Sequence, residues 1–481
     1  MELIKIDFSQ HNGPIKNMDA VNNGPTAPSV RTPTRTNFEL YKNAGFSYAR
    51  NHDASFYGLY GGEHTVDVHR IFKNFDADET DPANYIFEPT DGYLLNTVAA
   101  GTKIFYRLGA SIEHQFKYGT RVPKDFAKWA RICEHIIRHY NEGWADGFQL
   151  GIEYWEIWNE PDCRNADGSN PCWQGTEEQF VELYCVAAKH LKEQFPHLKI
   201  GGPAFCSPMM DDFKQKFFDG VRASGAPLDF FSYHCYARDL NWFREILVDA
   251  RAYLDEYGFT ETEAILNEWN YVKGWLNENW DYTLAAEQGL KGASFITGAM
   301  AQSQSAPLDM LMYYDARPCT MNGIFSENHK PRKGYYCYTM FRQLKELGTY
   351  VPHQTESQDI FTCSATDGKN HGILLTYFND DAQGLIDLAF ALQKTVNLNM
   401  TYGECYRELL QKTGIANELS YKDVCLDLSH INGPAKVSFY CLDDEKDGVL
   451  VREELISGDA AKLYLKMTAF STYLVKIEAL A

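Results

Sequence analysis

The chain has 481 residues, 44% hydrophobic and 23% charged, and its 45 basic against 65 acidic residues leave a net charge of −20. That is a soluble, globular composition with room for a large core and about two to four domains, or for one barrel of about 250 residues beside something smaller. The negative balance argues against nucleic acid and anionic membrane as partners, since both attract basic surfaces, and fits poorly with a strongly anionic polysaccharide.

Met1–Phe8 reads as a strand. It lacks the basic start and the apolar core of an export signal, and no later run approaches the ~18 apolar residues of a membrane span. The chain is therefore expected in the cytoplasm, with its 12 cysteines reduced. Only Cys163 and Cys172, flanking a polar loop, are placed to bond if oxidised. No Cys-x-x-Cys pair points to structural zinc, and no metal is expected. Ser9 to Pro33 is rich in Gly, Pro and Asn and reads as a loop. Eight short apolar segments then alternate with helix-like stretches: Phe46–Arg50, Val66–Phe72, Lys103–Leu108, Tyr154–Asn159, Leu198–Gly202, Leu228–His234, Ala264–Glu268 and Met310–Tyr314. Between them, helices are predicted over Asp91–Ala100, Pro123–Tyr140, Tyr282–Gln302 and, behind the capping box Thr176-Glu177-Glu178-Gln179, to about Gln194. Strand alternating with helix eight times is a (β/α)8 TIM barrel, here over 30–347. From about 348 the pattern turns to strands with turns between them: Ile360–Ala365, Gly372–Phe378, Leu385–Leu392, Val437–Leu442, Ala461–Met467 and Thr472–Glu478. This predicts an accessory antiparallel β-sandwich over 348–481.

Two of the barrel strands end in the same way. The apolar run Tyr154–Trp158 stops at Asn159-Glu160-Pro161, because proline cannot extend the ladder. Ala264-Ile265-Leu266-Asn267-Glu268-Trp269-Asn270 repeats the scheme. Active sites of such barrels lie at the carboxyl ends of the strands, and these glutamates end the fourth and the seventh. Aromatic surroundings disfavour an ionised carboxylate, so Glu160 suits a general acid. Two strand-end glutamates are what glycoside hydrolysis requires. Arg50 and His52, two apart at the end of the first predicted strand, share a face and point to the barrel mouth. There Arg50 can hold a carboxylate such as Glu268 ionised, and His52 can bond a sugar hydroxyl. His234 and Tyr236 repeat that spacing on the sixth strand, where Tyr236 can donate to Glu268. Tyr314 on the eighth offers a cleft wall. Glu113 and His114 follow the third strand, and Trp269 and Trp275 read as sugar platforms or as core. Asn165-Ala166-Asp167-Gly168-Ser169-Asn170 lacks the last glutamate of a calcium loop and reads as a turn.

Arg50-Asn51-His52-Asp53, Trp158-Asn159-Glu160-Pro161, Trp173-Gln174-Gly175-Thr176, Gly201-Gly202-Pro203, Asp229 through Tyr236 and Asn267-Glu268-Trp269 occur in this order across roughly residues 30 to 350. The ordered set resembles clan A of the glycoside hydrolases and, within it, family 39, the β-xylosidases and α-L-iduronidases. The resemblance implies retention of anomeric configuration, with Glu160 as acid/base, Glu268 as nucleophile and Asn159 bonded to the sugar 2-hydroxyl. It implies pairing of residues 1–10 with the β-sandwich, a small oligosaccharide or glycoside as substrate, no cofactor and a possible homo-oligomer. At Tyr314 the family's commoner aromatic is tryptophan. The expected activity is exo-cleavage of a terminal sugar, a β-xyloside first. The alternatives are another clan A activity (α-L-arabinosidase, β-glucosidase or β-galactosidase) and a non-catalytic sugar-binding barrel.

Overall fold

The computed structural model describes residues 1–27, 33–53, 64–111, 119–380 and 421–480. The strand expected over Leu385–Leu392, and Glu113 and His114, lie outside them. After β1 (Glu2–Asp7) come eight parallel strands. They are β2 (Asn17–Asn22), β3 (Tyr48–Asn51), β4 (Lys103–Leu108), β5 (Tyr154–Ile157), β6 (Lys199–Phe205), β7 (Phe230–Ala237), β8 (Glu263–Tyr271) and β9 (Met310–Tyr313). They pair in chain order, and β9 returns to β2 to close the barrel.

Three sequence expectations need correction. The first barrel strand is β2, inside the segment read as a loop. Its sequence Asn-Met-Asp-Ala-Val-Asn hides the strand, because two of its buried polar residues are satisfied inside the fold. Asp19 accepts from Ser47 Oγ at 2.7 Å and Lys345 Nζ at 2.8 Å, and Asn22 Nδ2 donates to the Asn267 carbonyl at 2.7 Å. Val66–Phe72 is not a barrel strand. It carries a short helix, Val68–Ile71, with Val66, Val68, Ile71 and Phe72 all buried, and a short apolar run does not distinguish the two states. One strand missed and one added cancel, so Glu160 still follows the fourth strand and Glu268 still lies on the seventh, while Arg50 belongs to the second. The helix expected over Tyr282–Gln302 is two, Asn277–Gln288 and Leu290–Ser305, broken at Gly289. Thr176 and Gln179 form the predicted capping box.

The barrel interior changes character along its axis. Ala20, Tyr48, Phe105, Tyr154, Phe230, Ile265, Met310 and Met312 form one apolar cluster. Two residues further along the same strands stand Asn22, Arg50, Arg107, Glu156, Ser232, Asn267 and Tyr314. Period 2 keeps them inward, so an apolar plug carries a polar floor, and the site is built on that floor.

Past the barrel are β10 (Thr349–Val351), β11 (His353–Thr355), β12 (Ile360–Thr366), β13 (His371–Tyr377), β14 (Tyr421–Ser429), β15 (Ala435–Leu442), β16 (Asp447–Ile456), β17 (Ala460–Thr468) and β18 (Thr472–Ala479). They make a six-stranded sheet, β10-β12-β13-β18-β15-β16, and a four-stranded one, β11-β1-β14-β17. Every pair is antiparallel except β1 with β14, so the N-terminal strand joins sequence-distant partners. On β17 Leu463, Leu465 and Met467 are buried and Lys462, Tyr464 and Lys466 are not, the alternation of a half-buried strand. β12 and β13 are buried at every residue. One reason is the helix Leu290–Ser305, which packs against both strands. It is buried all round from Leu290 to Gln304, and its Ser294 Oγ bonds Thr376 Oγ1 at 2.8 Å.

Candidate active site

The polar floor is organised by one guanidinium. Arg50, wholly buried, donates from Nε to Glu156 Oε2 at 2.7 Å, from Nη1 to Glu268 Oε1 at 2.7 Å and to Asn22 Oδ1 at 3.2 Å, and from Nη2 to Asn159 Oδ1 at 2.7 Å. Its planar fork reaches three strands' acceptors at once, which a lysine could not do. Glu156 Oε1 in turn accepts from Ser232 Oγ at 2.6 Å and Asn267 Nδ2 at 2.5 Å. A buried charge needs such pairing, because removing a carboxylate from water costs several kcal/mol, on the order of its attraction to a partner. The sequence places Arg50 against a catalytic carboxylate such as Glu268. The structure gives it Glu156 and Glu268, while Asp53 faces Arg317 Nη2 at 3.4 Å.

Glu160 is aimed by an uncommon backbone. Trp158 and Glu160 both lie in the left-handed region, at φ 82° and 48°, which non-glycine residues adopt only when their surroundings fix them. Here Trp158 is fixed by its indole, which donates to the Cys172 carbonyl at 2.9 Å and meets Trp173 edge-on at 5.1 Å. Glu160 N donates to the Ala204 carbonyl at 2.9 Å. Glu268 is aimed by a bulge. Opposite Tyr233 and His234, β8 supplies Leu266 and Glu268, with Asn267 extra. Both Asn267 and Glu268 can therefore face inward, a common use of a bulge beside a site, while Trp269 packs outward against Phe243 and Phe295.

His234 joins the two glutamates. Its Nδ1 lies 2.8 Å from Glu160 Oε1 and 3.5 Å from Glu268 Oε2. One ligand atom from each of the three residues falls within 4.8 Å of the others. Tyr236 donates its hydroxyl to Glu268 Oε2 at 2.9 Å. Burial pushes Glu160 up to about 8, with Cys163 and Asp162 adding to it. Burial also raises Glu268, to about 7, against the pull of His234 and Arg50. The order has a plain cause: Glu268 holds the guanidinium directly and Glu160 does not, so Glu268 ionises first. Burial lowers both His234 and His52, which are neutral. On His52, Nδ1 accepts from Arg107 Nε at 3.2 Å, which puts the ring proton on Nε2, 3.4 Å from Glu268 Oε1.

The structure thus gathers Arg50, His52, Asn159, Glu160, His234, Tyr236 and Glu268 at the carboxyl ends of the barrel strands. Asn159 spends its carbonyl oxygen on Arg50, which leaves its amide to donate. Tyr314, buried, sets its ring 6.5 Å from those of His52 and Tyr236, and its hydroxyl lies 2.5 Å from Asp53 Oδ2. Trp269 is core, fully buried, whereas Trp275 is 53% exposed and meets Tyr236 edge-on at 5.0 Å and Trp280 in a stack at 5.5 Å. Sequence reasoning did not assign Glu156 or Asn22. A charged residue inside an otherwise apolar strand, as in Tyr-Trp-Glu-Ile, was the available signal for the first. Cys163 and Cys172 are thiols in the structure, as are the other described cysteines, and Cys172 Sγ lies 3.9 Å from Glu160 Oε2. No described helix is long and apolar enough to cross a membrane.

The family model described as glycosyl hydrolases family 39 matches residues 3–352. A β-xylosidase of Caldicellulosiruptor saccharolyticus is 28% identical over 148 residues, 31% of this chain and 27% of that protein. One from Geobacillus stearothermophilus is 30% identical over 152 residues, 30% of this chain and 26% of that protein. The chain thus matches about a quarter of the length of these curated relatives. Among solved structures, a glucosidase from Croceicoccus marinus superposes over 100% of this chain and 99% of its own, with a TM-score of 0.75 at 20% identity. A monomeric β-xylosidase from Caulobacter crescentus covers 100% of both chains, with a TM-score of 0.68 at 16% identity. At these identities the two structures share the fold.

Proposed function

The chain belongs to glycosyl hydrolases family 39, and from that membership we propose that it is a retaining exo-glycosidase, acting on β-xylosides, that works by double displacement. The observation that carries the mechanism is the closeness of the two glutamates across His234. Retaining enzymes hold their carboxyl groups about 5–5.5 Å apart, and inverting ones about 6.5–9.5 Å, to admit a water. One ligand oxygen of each carboxylate lies within 4.8 Å of the other, a close approach that supports the first arrangement.

Glu268, ionised beside Arg50, attacks the anomeric carbon. Tyr236 and Arg50 hold one oxygen each, which leaves the carboxylate oriented and able to depart later. Glu160, protonated at neutral pH, gives its proton to the glycosidic oxygen. Once Glu268 is esterified, its charge is gone and Glu160 loses a repelling neighbour. Its affinity for a proton falls, so the carboxylate left by that transfer stays ionised until it draws the proton from the water that hydrolyses the glycosyl-enzyme. His234, neutral and within hydrogen-bond reach of both, keeps the two carboxyl groups at fixed spacing. The amide of Asn159 is turned to the sugar 2-hydroxyl, and Trp275 forms a ring platform at the mouth.

The preference for xylosides is supported by the two β-xylosidase relatives; arabinosides, glucosides and galactosides need the same chemistry. A panel of aryl glycosides tests both levels. Fastest turnover on the aryl β-xyloside upholds the preference, fastest turnover on another sugar replaces it, and sugar binding with no turnover on any would leave a carbohydrate-binding barrel.

A further inference from the structure

Glu160 turns Oε1 to His234 and Oε2 toward sulfur. Cys163 and Cys172 come from the loop after β5, and Cys206 from the residue that follows β6. Ligand atoms of Glu160, Cys163 and Cys172 all lie within 4.8 Å of one another, and Cys206 is tied to the same loop by its N–H, which donates to Asp162 Oδ1 at 2.9 Å. Two thiols and one carboxylate therefore converge, with a third cysteine on the adjoining loop. Cys172 is buried, while Cys163 and Cys206 are partly exposed, so the cluster is anchored at one end and reachable at the other. The double-displacement reaction uses none of the three.

Their chemistry points elsewhere. Thiolate sulfur selects soft, closed-shell cations. Zinc takes four such ligands tetrahedrally, at about 2.3 Å to sulfur and about 2.0–2.2 Å to oxygen. That geometry sets ligand atoms about 3.5–3.8 Å apart, so side-chain rotations of about 1 Å would close the present cluster around an ion. Asp162 adds negative charge beside it: its Oδ1 accepts from Cys206 N at 2.9 Å and its Oδ2 faces Lys214 Nζ at 3.1 Å.

We propose that Cys163, Cys172, Cys206 and Glu160 form a site for a thiophilic cation of the zinc class, and that an ion bound there takes the Glu160 carboxylate out of proton transfer. Binding displaces protons from the thiols and from Glu160 to solvent, with no change of oxidation state. The site stands or falls independently of the glycosidase reading; only its effect on turnover rests on that reading.

Cobalt(II) reports on it directly. The full chain, reduced and desalted, is titrated with cobalt(II) while the near-ultraviolet thiolate-to-metal charge-transfer band is followed. We expect one ion per chain, displaced by zinc. Cys163→Ser and Cys206→Ser, both at partly exposed positions, should each weaken binding about tenfold or more, at least what loss of an outer-shell partner costs. No band, or a band unchanged in both variants, overturns the site. In the second arm, saturating zinc should slow hydrolysis of an unactivated glycoside by about the 10²–10⁴-fold that general acid catalysis supplies. Cys163→Ser should relieve this. Turnover unaffected at zinc concentrations that displace cobalt overturns the ligation by Glu160. A protein that turns over no glycoside still answers the first arm.

Discussion

Replacing Glu160 by glutamine keeps the side chain's size and its hydrogen-bonding reach to His234 but removes the proton that leaves with the aglycone. General acid catalysis is worth about 10²–10⁴-fold, or about 3–5 kcal/mol of barrier. A dinitrophenolate leaves without a proton and an alkyl or sugar alcohol does not. Glu160→Gln should therefore lose about 10²–10⁴-fold in kcat/KM on the poor leaving group and far less on the dinitrophenyl glycoside. The basic limb of the rate profile, set near 8 by Glu160 in the native enzyme, should vanish in the variant. The same residue predicts a stability change of known sign. Its carboxyl is raised from 4.5 to about 8, so below 4.5 both folded and unfolded chains hold the proton and no stability is lost. Between 4.5 and 8 the unfolded chain releases the proton and the folded one keeps it, so stability falls as pH rises through that window. The full loss is up to about 5 kcal/mol at 1.36 kcal/mol per pKa unit. Glutamine cannot ionise, so the variant's melting temperature should gain on the native protein's steadily from pH 4.5 to 8, read by scanning calorimetry across that range. Equal losses on both leaving groups, with parallel melting curves, would refute the assignment of Glu160 as a buried acid.

Glu268→Ala should abolish turnover, and added azide should restore it with a glycosyl azide of inverted anomeric configuration as product, detectable by NMR; undiminished activity without azide would remove Glu268 from the reaction. Tyr236→Phe should lower kcat about ten- to a hundredfold, the worth of a hydrogen bond to a charged group (about 1.5–3 kcal/mol), with little change in melting temperature. A shifted melting temperature at unchanged kcat would make Tyr236 a packing residue. Arg50→Met strands Glu156 and Glu268 without their counter-charge and should cost about 3–5 kcal/mol in denaturant unfolding; a variant as stable as the native protein would mean that the floor is not held by that guanidinium. Trp275→Ala should raise KM about two- to tenfold, the worth of an aromatic contact of about 0.5–1.5 kcal/mol, and spare kcat.

The parts of the fold legible in the sequence are those where local pattern and tertiary environment agree. Tyr154–Ile157 is apolar but for Glu156, short and cut off by Pro161, and any barrel would use it as it does. β2 was invisible because its polar residues are satisfied by partners hundreds of positions away, such as Lys345 for Asp19 and Asn267 for Asn22. No local pattern encodes such partners. Val66–Phe72 failed in the opposite sense, its burial being real but its backbone helical. In the site, spacing of two sufficed to pair Arg50 with His52 and His234 with Tyr236, because alternation is a property of the strand itself. The bulge that lets Asn267 and Glu268 both face inward is a property of the pair β7–β8, and the role of Glu156 depends on which strand stands opposite. Neither can be read from one strand's sequence.

The helix Leu290–Ser305 carries a consequence for anyone who would cut this protein apart. A helix on the outside of a barrel ordinarily keeps a wet face, and this one has none, since the six-stranded sheet lies where water would be. Its sequence, Leu-Lys-Gly-Ala-Ser-Phe-Ile-Thr-Gly-Ala-Met-Ala, has accordingly lost the charged stripe that would let it stand alone. The catalytic barrel is thus not a transplantable module. A chain ended after the barrel would present that helix naked, with Ser294 and Thr297 stripped of their mates Thr376 and Thr472, and would offer a sticky surface to its neighbours in place of a solvated one. Grafting or swapping would have to move barrel and sheets as one inheritance unit, with the first strand of the chain travelling alongside its partners from the last third.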